Sequence, residues 1–471
     1  MNYLSTLRQT AFRKPLRLTS SVLFAAIAMS GCGDDPTSTP DNPVIPISPM
    51  EPVNPVDPVD PVNPIEPIET GDYALLSSDI ERDLAPDATV DELNAFTLGN
   101  HQLTVDLHQT ATVSGENTML STYSIRSAFS LLYPGARGET AQEIAEVMGF
   151  DGDIDRALTT MNAADLAMAD RNVEADEQRE LEAVSLHTAN AFWSAHGAQW
   201  SEQYLDRLAL NLGAPVYLTD FANEPEVSRQ TINQWVEDQT EERIKDLLPE
   251  GSIRNITQAV LTNAVYFKAP WASKFKAEAT RDQEFNLLDG SSIPVPTMSQ
   301  TTEIKYADGE GYQAAQLPFR NGQLAMVLIV PEAGQLADFE ADLTAETLGE
   351  IATNLDTVRA HIQIPKFEFE TTTVLNNPLQ TLGLQKIFNG GDLTGMSEQG
   401  NLRVSGVFHK TFIAVEEGGA EAAAATAIVI DRESAEPDPQ VSFKADRPFL
   451  FGIQDIETGL FLFFGRVVDP R

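Results

Sequence analysis

The residues of this chain best suited to metal or nucleophilic chemistry are six histidines, His101, His108, His187, His196, His361 and His409, and one cysteine, Cys32. The histidines show no metal-ligand spacing, and a zinc site built on cysteines is excluded by the single thiol. The chain has no Gly-x-Ser-x-Gly elbow, no His-Glu-x-x-His motif and no glycine-rich phosphate loop. No enzyme is expected, and no cofactor or metal. Two features do carry chemistry. One is the thiol of Cys32. The other is a segment on which a second protein could act, running from Glu416 through a run of small residues to Ile430 and a polar tip, Asp431-Arg432-Glu433-Ser434. Pro437 and Pro439 keep the stretch from Asp431 to Gln440 extended and accessible.

Residues 1–31 carry Arg8, Arg13, Lys14 and Arg17, an apolar stretch from Val22 to Met29, and then Ser30 and Gly31. This is the layout of an export signal, too short for a stable membrane span. Met29-Ser30-Gly31-Cys32 resembles a bacterial lipobox, which implies cleavage before Cys32 and alkylation of its thiol by a diacylglyceryl group. The alternative is an ordinary secretory signal with an incidental cysteine. Gly33 rather than an aspartate follows Cys32, so an outer-membrane or cell-surface lipoprotein is expected. Proline then recurs at every third position from Pro43 to Pro67. That period matches the polyproline II helix, with about three residues per turn. Residues 32–90 are therefore read as a semi-rigid stalk, with a nonspecific linker or a ligand for a proline-reading domain as alternatives.

The segment after Glu416 begins Glu417-Gly418-Gly419-Ala420-Glu421-Ala422-Ala423-Ala424-Ala425-Thr426. As a strand, its alternation would point Ala420, Ala422, Ala424 and Thr426 to one face and Glu421, Ala423 and Ala425 to the other. Small residues on one face suit a strand packed within a sheet, where a charge would oppose burial. The competing expectation is a helix, because alanine has the best helix propensity.

The elements that would carry these residues are legible in the rest of the chain. Phe96, Asn100, Leu103 and Leu107 recur at helical spacing, Glu139 to Met148 reads as a second helix, and Thr231 to Val236 opens a third. Ala259 to Phe267, Leu324 to Val330, His361 to Phe369 and Phe408 to Val415 read as strands. Helices gather early and strands late without a βαβ rhythm, which predicts an α+β fold with antiparallel-rich sheets over residues 91–471. A content of 42% hydrophobic residues supports a large core, and a net charge of -39 from 70 acids and 31 bases argues against nucleic acid as a partner.

Five blocks in order carry a family resemblance. Ser121-Thr122-Tyr123-Ser124-Ile125 and Gly135-Ala136-Arg137-Gly138-Glu139-Thr140 come first. A middle block runs from Asn233-Gln234-Trp235-Val236 through Leu247-Leu248-Pro249 to Asn263-Ala264-Val265-Tyr266-Phe267-Lys268 and Trp271. Phe443 to Ile453 and Phe464 to Pro470 complete the five, and the glycine-alanine segment lies just before them. Together they resemble the serpins, a family of serine protease inhibitors, over nearly all of residues 91–471. Thr122, Ala269 and Ala420 depart from the usual proline, glycine and threonine of that pattern.

The resemblance implies helices packed on three largely antiparallel β-sheets with an exposed reactive loop near the C-terminus. It implies a monomeric suicide substrate that traps a serine protease as an acyl-enzyme by inserting the loop into the central sheet. Glu417 to Thr426 would be the hinge. Ser121, Ser124, Asn263 and His409 would line the path of the inserting strand, and Trp271 would stand at its opening end. Core packing explains His409 and Trp271 equally well. The reactive bond falls at Glu433-Ser434, sixteen residues beyond Glu417, which suggests a glutamate-preferring protease. Arg432-Glu433 would suit a trypsin-like enzyme, and cleavage after Ile430 an elastase- or subtilisin-like one. A serpin that inhibits nothing and serves as a surface binding or scaffold protein is the rival expectation.

Overall fold

The computed structural model describes residues 67–69, 72–176, 181–197, 199–397, 402–421 and 438–471. Cys32, Ala422 to Thr426, Arg432, Glu433 and Ser434 lie outside the described residues.

Two hydrogen-bonded sheets organise the described chain. The first has eight strands in the spatial order Ile68–Glu69, Ala74–Leu76, Val216–Thr219, Ser185–Ala195, Ala259–Pro270, Gly419–Ala420, Val404–Glu416 and Phe367–Val374. The second has nine strands and is mostly antiparallel. The expected second and third sheets are joined in it by one long strand, Ser292–Gly309. That strand pairs with Arg281–Asn286 at its start, with Asp356–Pro365 along its middle and with Tyr312–Pro318 at its end.

Alternation in the Ala259–Pro270 strand explains how the layers stack. Val265, Phe267 and Ala269 face a core shared with Met326, Leu328, Phe451 and Phe463 of the second sheet. Val260 and Ala264 face the other way, against Ile232 and Val236 of the helix Pro225–Gln239 and against Ile244, Leu247 and Leu248 beyond it. The central strand is buried on both faces, and its side chains read as a nearly continuous apolar run.

The helix Val90–Ala111 starts where its capping box places it: Thr89 Oγ1 accepts from Glu92 N at 3.2 Å, and Glu92 Oε2 accepts from Thr89 N at 2.7 Å. Phe96, Asn100, Leu103 and Leu107 are buried along it, and Ile144 and Met148 are buried on the helix Gly138–Met148.

Three boundaries differ from those the sequence predicts. Packed structure begins well before residue 91. Ala74 is fully buried in the first sheet, and Arg82 binds Asn162 at 2.9 Å and Asp165 at 2.6 Å. The third helix starts at Pro225, six residues before Thr231, because proline without its N–H is well placed in a first turn. The run from His361 to Phe369 is two strands in different sheets, Asp356–Pro365 and Phe367–Val374, parted at Pro365-Lys366.

Candidate functional site

The centre of the first sheet contains a seam. Its two flanking strands, Ala259–Pro270 and Val404–Glu416, pair in parallel between Ala259 and Val265 on one and Val404 and Thr411 on the other. Each is antiparallel to its outer neighbour, Ser185–Ala195 or Phe367–Val374. At the upper end the flanking strands part and the two residues Gly419–Ala420 sit between them, antiparallel to both. Ala420 lies opposite Ala269 on one side and Val415 on the other, and Gly419 opposite Pro270 and Glu416.

Local contacts hold this wedge. Trp271 N donates to Gly418 O at 2.9 Å, Trp271 Nε1 to Glu416 O at 2.9 Å, and Phe275 N to Glu417 O at 3.0 Å. The Trp271 ring stacks on Phe319 at 4.9 Å between centroids. The Glu417 carboxylate accepts from Thr280 Oγ1 and Lys366 Nζ, each at 2.7 Å. Burial alone would raise the pKa of that carboxyl, but the two donors hold it below its ordinary value. Gly419 has φ +154, and a Cβ there would stand 2.2 Å from Ala269 O, so only glycine lets the turn approach the neighbouring backbone.

Ala420 is 1% exposed and belongs to the core between the sheets. Glu421 points to the opposite face, but that face is covered at this point. Its carboxylate pairs with Arg243 on the segment that follows the helix Pro225–Gln239, and only 9% of the side chain is exposed. Burial pushes the Glu421 pKa up, against the pull of Arg243. The backbone at Glu421 has φ +49 while its N–H donates to Ala414 O at 2.7 Å. Outward in the strand pattern is therefore not the same as solvated here.

Midway down the seam a polar cluster spans both flanking strands and the helix beneath them. His409 stands opposite Asn263 in the parallel register. Its Nδ1 meets Asn263 Oδ1, and its Nε2 accepts from Ser121 N at 3.0 Å. Asn263 Nδ2 donates to Ser124 Oγ at 2.6 Å and to Asn190 Oδ1 at 2.5 Å. Ser121 Oγ donates to Leu462 O at 2.7 Å and accepts from Ser124 N at 3.2 Å, capping the helix Thr122–Leu132. Because Asn263 Oδ1 can only accept, the His409 proton sits on Nδ1.

Both ring nitrogens of His409 are thus committed, and burial lowers its pKa to about 3. The cluster cannot shuttle protons at neutral pH. It can tie two strands and a helix together through neutral hydrogen bonds, which are strong in a buried setting and disfavour any half-opened arrangement. Ser121, Ser124, Asn263 and His409 all meet in it, whereas Trp271 stands apart at the wedge. Asn190 joins the cluster without having been singled out in the sequence; its strand, Ser185–Ala195, also carries Ser185, His187, Thr188 and Ser194, so one more polar residue does not stand out there. Arg243 and Lys366 carry no signal either.

A pH effect follows. Below about 6.5 the unfolded chain protonates this imidazole while the folded cluster does not. The stability the site supplies is complete above that pH and is lost as the pH falls toward 3, by about 1.4 kcal/mol per unit. Wild type should lose unfolding resistance between pH 7 and 5 more steeply than His409→Gln. Equal slopes in thermal melts would contradict a buried imidazole that stays neutral in the folded protein.

The first sheet thus has a glycine-led wedge between two parallel-paired strands and lies over a second sheet. The family model "Serpin (serine protease inhibitor)" matches residues 98–470, and the chain belongs to the serpin family. It is 35% identical over 384 residues to an uncharacterised serpin-like protein of Thermococcus kodakarensis, covering 81% of this chain and 86% of that one. It is 37% identical over 395 residues to human serpin B4, covering 80% of this chain and all of that one. The solved structure of a thermophilic serpin, tengpin, in the native state is similar with a TM-score of 0.73 at 25% identity, over 85% of this chain and 100% of that one. Serpins are generally protease inhibitors rather than catalysts, and proteases are their general targets.

Proposed function

We propose that this serpin is a suicide-substrate inhibitor of a serine endopeptidase. The observation that carries the reading is the Gly419–Ala420 wedge, antiparallel to both strands of a seam whose remaining contact is parallel. The target's serine attacks the carbonyl carbon of the residue before the cut, the new N-terminus leaves, and an ester links inhibitor to protease. The loop from Glu421 onward then follows the wedge down the seam. Each residue that enters replaces part of a parallel contact by two antiparallel ones, the slightly more stable arrangement per residue. Strand addition of this kind is a known mode of serpin loops. The tethered protease is dragged along and its active site distorted before water can release it.

The hinge is Glu417 to Thr426, with Glu417, Trp271 and Lys366 anchoring its root. Ser121, Ser124, Asn263 and His409 form the latch the strand must pass, and Asn190 belongs with them. The reactive bond is Glu433-Ser434, with Arg432-Glu433 as the neighbouring register. Incubation with serine proteases of several specificities, read for covalent complex, tests the reading.

The lipid anchor is a separate part of the proposal. It is supported by the basic start, the short apolar core and the Met29-Ser30-Gly31-Cys32 sequence, and it would put the inhibitor at the outer membrane or cell surface. The protein should partition into the detergent phase, and Cys32→Ala should move it to the aqueous phase. Unchanged partitioning would refute the anchor.

A further inference from the structure

Among the described residues, four other than glycine have a positive φ: Glu241 at +51, Glu242 at +59, Asp246 at +50 and Glu421 at +49. A left-handed backbone is costly for an L-residue and persists where its surroundings impose it, often at a switch. These four meet at one place. Residues 240–246 form a strap after the helix Pro225–Gln239, and the strap rests on both sides of the seam. Ile244 packs with Val260 and Ala264 of one flanking strand, and Lys410 Nζ of the other donates to Lys245 O at 2.9 Å. Arg243 reaches from the strap to the Glu421 carboxylate.

Glu421 is the first residue past the strand Gly419–Ala420. Its N–H still donates to Ala414 O at 2.7 Å, in step with the pairing of Ala420 and Val415. A strand needs φ near −120 to −140 at each residue, and +49 turns the chain out of the sheet. Side chains do not call for that turn, because Ala422 to Ala425 are small on both faces. The backbone at Glu421 must change the sign of φ before Ala422 can enter the seam.

We propose, on the inhibitory reading above, that Glu421 is a stop held in place by Arg243. It keeps the uncleaved loop out of the seam and yields once cleavage frees the loop. Before cleavage the loop is fixed at both ends, by the strands Gly419–Ala420 and Val441–Lys444, so the stop resists only a small pull. After cleavage the insertion of the whole segment from Glu421 to Ile430 is set against one backbone rotation, and the stop gives way. Arg243 is thus a positioning residue that acts through Glu421.

The test follows uncleaved protein held a few degrees below its unfolding temperature. Insertion without cleavage is read as loss of loop cutting by an added protease and as a higher unfolding temperature at unchanged mass. Glu421→Gly and Glu421→Val both remove the carboxylate, but glycine accepts a positive φ readily and valine does not. The valine variant should convert at least about tenfold faster than the glycine variant. Glu421→Thr, also β-branched, should behave like valine. Arg243→Gln should speed conversion of the wild type and have no effect beside Glu421→Gly, where no carboxylate is left to hold. Equal rates for the glycine and valine variants, or conversion of neither, overturn the stop; if loop cleavage still raises the unfolding temperature, the inhibitory reading survives that result. An effect of Arg243→Gln that persists beside Glu421→Gly overturns the role of Arg243. A wild type that gains no heat resistance on cleavage refutes insertion itself, and the stop with it.

Discussion

Ala420→Arg should turn the protein from inhibitor into substrate. Ala420 is buried in the core between the two sheets, flanked by Ala269 and Val415. An arginine there must be buried without a partner or the wedge must withdraw, and a penalty of several kcal/mol falls on the first step of insertion. Every 1.4 kcal/mol slows that step about tenfold, so 3 kcal/mol delays insertion by about a hundredfold. Hydrolysis of the acyl-enzyme then wins. Denaturing gels should show complete loop cleavage and no covalent complex, while Ala420→Thr should keep full activity. Retention of complex by the arginine variant would mean that Ala420 does not lead the insertion.

Loop cleavage should make the wild-type protein markedly more resistant to heat. About ten residues, Glu421 to Ile430, separate the wedge from the start of the flanking strands. A net gain of about 0.5 kcal/mol per inserted residue is at the low end for a protein hydrogen bond, and it sums to about 5 kcal/mol. For a domain of this size, with an unfolding entropy of about 0.8 kcal/mol per degree, that is a shift of about 6 °C. The latch of His409, Asn263 and Ser121 must open and close again on the way, so stabilisation should follow cleavage with a lag. A cleaved protein that melts where the intact one does would have an idle seam.

Much of this arrangement can be read from the chain alone. The apolar runs around Asn263 and His409 mark buried strands, and the polar residue within each marks a group that needs partners. The alternation after Gly419 puts Ala420 and Glu421 on opposite faces, and the sheet does the same. What is not legible depends on distant parts of the chain. Glu421 is covered because the segment carrying Arg243 crosses the sheet there, and nothing near Glu421 announces that. The strand Ala74–Leu76 is three residues long, too short for a periodicity to register after a proline-rich stretch. The split at Pro365-Lys366 shows in the chain only as a slip of one position, from apolar Ile362 and Ile364 to Phe367 and Phe369, and the sequence does not say that the two halves join different sheets. An exposed loop is what the glycine-led segment predicts; that its first two residues already lie in the sheet is a matter of register.

The most direct test of the central claim is incubation with trypsin-, elastase-, subtilisin- and glutamate-specific proteases, followed by denaturing electrophoresis and mass spectrometry of released peptides. The predicted result is an SDS-stable complex with at least one protease, together with a C-terminal peptide beginning at Ser434, or at Glu433 if the neighbouring bond is cut. Loop cleavage by all of these enzymes with no stable complex and no rise in unfolding temperature would contradict it.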